Sequence, residues 1–74
     1  MQLEIQSIKG HTVITEQEMT DAEMRAKFDE LISLGYAPFA DTKIDDPVQV
    51  KSYDEAAEDP KVRSIFLVGP QEGG

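Results

Sequence analysis

Between Thr20 and Gly35 the chain carries one segment that reads as a bounded amphipathic helix, while its other apolar clusters have the spacing of strands. A chain patterned in this way must lay one helix across one sheet, because neither element can bury its apolar side alone. Thr20-Asp21-Ala22-Glu23 fits a capping box, in which the Thr20 hydroxyl accepts from the Glu23 amide and the Glu23 carboxylate accepts from the Thr20 amide. Met19 and Met24 stand at the two positions of a hydrophobic staple, and Asp21 and Glu23 set negative charge against the positive helix end. Met24, Phe28, Leu31 and Ile32 recur at i, i+4, i+7 and i+8 and form one stripe. Arg25, Lys27, Asp29 and Glu30 fall on the opposite face. Gly35 supplies the left-handed residue that ends such a helix, which brings Tyr36 back onto Leu31 in a Schellman-type closure. The expected helix covers about residues 21–34.

Ahead of the helix, Leu3 and Ile5 alternate with Glu4 and Gln6, and Val13 and Ile14 follow a Lys9-Gly10 step. The pattern predicts strands near residues 2–8 and 11–16 joined by a two-residue turn at Lys9-Gly10. Counting outward from that turn pairs Ile8 with His11, Ser7 with Thr12 and Ile5 with Ile14, and sets Leu3, Ile5 and Ile14 on one face. A bulge at Gly10 would shift this register.

Beyond the helix, Ala37-Pro38-Phe39-Ala40 reads as a short edge strand, since Pro38 cannot donate to a ladder. Asp45-Asp46-Pro47 reads as a turn, and Val48 and Val50 alternate with polar neighbours in a strand ending near Tyr53. The segment from Asp54 to Asp59 suits one loose helical turn closed off by Pro60. The run Ile65-Phe66-Leu67-Val68 within residues 62–68 has the content of a central strand buried on much of both faces. Residues 1–68 are expected to form a single domain. Residues 69–74, Gly-Pro-Gln-Glu-Gly-Gly, have no large apolar side chain to anchor them and read as a flexible tail.

The 74 residues hold 15 Asp and Glu against 7 Lys and Arg, a formal charge of −8. A chain of this length leaves about 40% of its unfolded surface exposed, which argues against a deep, self-sufficient catalytic cavity. The negative charge repels phosphate backbones and anionic lipid, so neither nucleic acid nor membrane is an expected partner, and a protein partner is. With no Cys there is no disulfide, thiolate metal site or thiol redox chemistry, and by default a cytoplasmic monomer is expected.

In element order the chain resembles the β-grasp fold of ubiquitin and of the bacterial sulfur carriers used in thiamine and molybdopterin biosynthesis. The resemblance covers most of the chain in layout, and its one motif is Gly73-Gly74 following the strand Ile65 to Val68. It implies an α+β, β-grasp-like single mixed sheet with one long helix packed across it. It also implies a small carrier or modifier whose Gly74 carboxylate is adenylated by a partner enzyme that uses ATP. The product would be a thiocarboxylate for sulfur transfer or an isopeptide bond. Gly73 and Gly74 would be the reactive end, and the six residues from Gly69 reach about 20 Å when extended, enough to enter a narrow channel. Gln71 and Glu72 stand where ubiquitin carries basic residues, so recognition by ubiquitin's own enzymes is not implied.

The remaining residues point to no chemistry of their own. His11 is the single His, beside a turn and without convergent partners in sequence. The clusters Asp41, Asp45, Asp46 and Asp54, Glu55, Glu58, Asp59 lack the spacing of a calcium loop and read as a solvated acidic face. No catalytic, cofactor-binding or metal-binding residue is therefore expected. The alternative to a carrier is a non-catalytic acidic interaction module, accessory or inhibitory, that meets a basic protein through this face.

Overall fold

The computed structural model describes residues 1–42 and 44–70. Its elements are β1 (Gln2–Ser7), β2 (Gly10–Thr15), α1 (Asp21–Ser33), β3 (Ala37–Thr42), β4 (Val48–Gln49), α2 (Tyr53–Ala57) and β5 (Val62–Val68). The strands form one mixed sheet in the order β2-β1-β5-β3-β4. β5 lies in the middle, parallel to β1 and antiparallel to β3. With α1 across one face, this is the α+β, β-grasp-like arrangement expected of the sequence.

The helix forms where its local signals put it. Glu23 N donates to Thr20 Oγ1 at 3.2 Å and Thr20 N donates to Glu23 Oε1 at 2.9 Å, closing the capping box. At the other end Gly35 takes φ +94°, Gly35 N donates to the Ile32 carbonyl and Tyr36 N to that of Leu31, each at 3.0 Å. These are the two bonds of a Schellman motif. Met24, Phe28 and Leu31 turn into the core with Leu3, Ile14, Ile65 and Leu67, and Met19 packs against it. Ile32, at the margin of the stripe, stays 37% exposed.

The hairpin register differs from the expected one by two residues. Ser7 pairs with Gly10, Ile5 with Thr12 and Leu3 with Ile14, so the central turn residues are Ile8 and Lys9. Both keep negative φ, and Gly10 bends the chain from the first position of β2 at φ +140°. A slip of two equals the side-chain period of a strand, so the faces are preserved: Leu3 and Ile14 are buried and Ile5 packs beside them.

Two further expectations are corrected. β3 is not an edge strand, because β4 pairs Phe39 with Gln49 and Ala40 with Val48 on its outer side. Pro38 is tolerated there because its carbonyl, which accepts from Val50 N at 3.1 Å, faces β4 together with its nitrogen, just past the end of that two-residue ladder. β4 does not run on towards Tyr53. Ser52 instead caps α2, accepting from Glu55 N at 3.1 Å, and Tyr53 is buried at the first helical position. β5 matches the expected range, with Ile65 and Leu67 fully buried and Phe66 and Val68 half-buried on the helix-free face.

Candidate functional site

The place where the chain leaves the sheet is built from three separate segments. Beyond Val68, Gly69 N donates to the Gln6 carbonyl at 2.7 Å, which carries the parallel β1–β5 ladder one residue past the strand. On its other side Gly69 lies against the Tyr36 ring. A Cβ placed on Gly69 would meet the Gln6 carbonyl oxygen and Tyr36 Cε2 at 3.1 Å each, so the absence of a side chain permits this close approach. Pro70 then sits over Gly35, about 3.8 Å from where a Cβ on that glycine would lie. Tyr36 thus joins the closure of α1 to the exit of β5. The exit is flanked by Ser7, Ile8 and Lys9 of the hairpin turn, and Ile8 is 72% exposed.

Gly73 and Gly74, the residues expected to react, lie outside the described residues, as do Gln71 and Glu72. What is described is the base from which they depart: the end of a strand hydrogen-bonded on both sides. Sequence reasoning identified the strand and the glycines at 69 and 35 but not the contact of Tyr36 with Gly69. Its signal is an aromatic residue immediately after a helix-ending glycine, which pairs with a distant Gly-Pro only once the strands are ordered.

The described polar groups away from the exit make local contacts. His11 Nε2 lies 3.4 Å from Glu4 Oε1 on the helix-free face, with half of the His11 side chain exposed. Among the described residues no three His, Cys, Asp or Glu side chains are grouped to hold a metal ion. Among the described residues the Tyr53 phenol is pushed up to about 12, first by burial and then by the hydrogen bond it donates to Asp21. Arg25 stacks 5.4 Å from the centre of that ring and pairs with Asp54 at 2.5 Å. The hydrogen bond and ion pair to Asp54 raise the Arg25 guanidinium above its ordinary range. Tyr53 also meets Phe28 edge to face, with ring centres 6.0 Å apart. This cluster ties α2 to α1.

No helix among the described residues is long and apolar enough to cross a membrane. Set against known family models, curated proteins and solved structures, the chain matches none of them.

Proposed function

We propose that this protein is a ubiquitin-like carrier or modifier whose Gly74 carboxylate, at the end of this chain or exposed by processing after it, is activated by a partner enzyme. The observation that supports the reading is the position of β5, held between β1 and β3 and continuing into Gly69, so that the diglycine segment follows a rigid base. A carrier needs no catalytic group of its own. It needs a body that a partner can grip and a terminal carboxylate flanked by residues small enough to enter a narrow active site. In the first step a carboxylate oxygen attacks the α-phosphorus of ATP, pyrophosphate leaves, and an acyl adenylate forms. In the second a sulfur or amine nucleophile attacks the acyl carbon, AMP leaves, and a thiocarboxylate, thioester or amide results. The adenylating enzyme would supply ATP and its metal; this chain supplies the acyl group.

The test is ATP–pyrophosphate exchange and intact-mass analysis with purified adenylating enzymes of the sulfur-carrier and modifier-activating types. The expected result is exchange that requires the chain, with an adduct confined to Gly74. Exchange that persists when Gly74 is deleted, or no exchange with either enzyme type, overturns the reading. A basic protein captured equally well by the Gly74-deleted chain would favour the acidic interaction module instead.

A further inference from the structure

At the far end of β5 from the chain exit, the sheet is left partly uncovered. α1 has 13 residues and spans about 20 Å, whereas the five residues of α2 span only about 7.5 Å. The β3–β4 side of the core therefore lies under the shorter helix. The result is a groove of about 270 Å³ floored by Ala40, Val48, Val50, Ala56 and Val62. Val48, at the start of β4, is 64% exposed and Ile44, on the loop before it, 82% exposed, so two large aliphatic side chains remain in water here.

The walls of this groove are acidic and come from two separate segments. Asp45 and Asp46 stand on the loop between β3 and β4, and Glu55 and Asp59 on α2 and its exit. Among the described residues none of these four carboxylates has a Lys or Arg within ion-pair distance; all the described ion pairs lie elsewhere. Among the described residues the one cation lining the groove is Lys61, whose backbone amide donates to Asp59 Oδ1 at 2.9 Å. The volume is smaller than that of ordinary small-molecule pockets, which begin at about 300 Å³, and suits side chains better than a cofactor.

We propose that this groove docks a short basic segment of a partner protein, one that alternates aliphatic residues with Lys or Arg. Aliphatic side chains cover Val48 and Val50, and the stems of Lys or Arg lie along the floor with their charged heads at Asp45, Asp46, Glu55 and Asp59. The same four carboxylates disfavour nucleic acid and anionic lipid, and a chain of charge −8 disfavours a second copy of itself. The groove borders Val62, at the start of β5, and the chain leaves the sheet after Val68, about 20 Å along the strand. A partner in the groove thus leaves the chain exit open, and the proposal does not depend on chemistry at Gly74.

The experiment is amide chemical-shift titration of the full chain with the acetylated peptide Lys-Leu-Arg-Val-Lys-Leu-Arg, together with fluorescence anisotropy of a labelled copy. The expected perturbations are confined to residues 40–62, and affinity falls about tenfold between low salt and half-molar salt. The doubly reversed variant Asp45→Lys with Asp46→Lys, and separately Val48→Ser, each weaken binding about tenfold while the rest of the spectrum is unchanged. Both sites are exposed, so neither variant removes core packing. Gly74→Ala, which alters the proposed acyl donor, binds the peptide as the parent does. Perturbations centred on Tyr36 and Gly69 or on the helix-free face, equal binding by the reversed variant, no perturbation at millimolar peptide, or groove shifts that grow with protein concentration alone would each overturn it.

Discussion

The Tyr53 hydroxyl donates to Asp21 Oδ1 at 2.5 Å, joining the first residue of α2 to the first residue of α1 across 32 positions of chain. Tyr53 is 2% exposed, and its ring fills the space between Met24 and Phe28. Together with buried Ala56 and the Arg25–Asp54 pair, this aromatic group holds the short helix to the body. Tyr53→Phe keeps the ring and removes the charge-assisted bond, and is expected to cost about 1–2 kcal/mol in urea unfolding. Tyr53→Ala empties the site and should cost about 3–5 kcal/mol.

The same tyrosine sets an alkaline limit on stability. Its phenol is held at about 12, against an ordinary value of 10.0, by burial first and then by the bond to Asp21. The fold favours the neutral form. This contribution is fully present below about pH 10, falls as pH rises towards 12, and is absent above that. The urea midpoint should drop across that window in the parent chain, and Tyr53→Phe should lose this component of the slope. Ultraviolet titration should show a phenol ionising near pH 12 that Tyr53→Phe removes; a parent chain without that late step would refute the assignment.

Gly10 and Gly69 separate two reasons for a glycine. Gly10 has φ +140° and nothing within 4 Å of a built Cβ, so Gly10→Ala carries a backbone cost alone, about 1 kcal/mol. Gly69 has a Cβ position blocked at 3.1 Å by a backbone oxygen and an aromatic ring, so Gly69→Ala forces the chain exit away from Gln6 or Tyr36 at about 1–3 kcal/mol. Hydrogen exchange distinguishes them. Gly69→Ala should speed exchange at the residue 69 amide, which donates to Gln6, while Gly10→Ala should leave it protected.

What was legible in the sequence follows from how local each determinant is. The limits of α1 could be read because Thr20, Glu23 and Gly35 act within four residues of their partners. The hairpin register could not, because it depends on which residue bends the chain, and a slip of two leaves the apolar faces unchanged. Pro38 pointed to an edge correctly in its chemistry and wrongly in its place, since whether its nitrogen meets a ladder depends on how far β4 extends. Tyr53 read as the end of a strand because its partners, Asp21 and Phe28, are remote in sequence. At the chain exit the glycines were visible, but the approach of Tyr36 to Gly69 requires β3 to lie antiparallel beside β5, with Ala37 opposite Val68. The acid-walled groove was visible only as two acidic clusters, because its floor is assembled from β3, β4, α2 and β5.

The capping box offers a prediction at the acid end. Thr20→Ala removes the oxygen that accepts from the Glu23 amide and should cost about 1 kcal/mol, read from urea unfolding. Glu23 itself is held below its ordinary carboxylate value of 4.5, chiefly by the Thr20 amide that donates to it. Its contribution is therefore present above that ordinary value and is lost as pH falls through the lowered one. Gln at this position keeps an acceptor for the Thr20 amide but cannot titrate. Glu23→Gln should thus flatten the loss of stability as pH falls below 4.5, while retaining most of the helix signal at neutral pH. If the variant instead follows the parent's acid profile, the Glu23–Thr20 bond does not set the acid sensitivity of the fold.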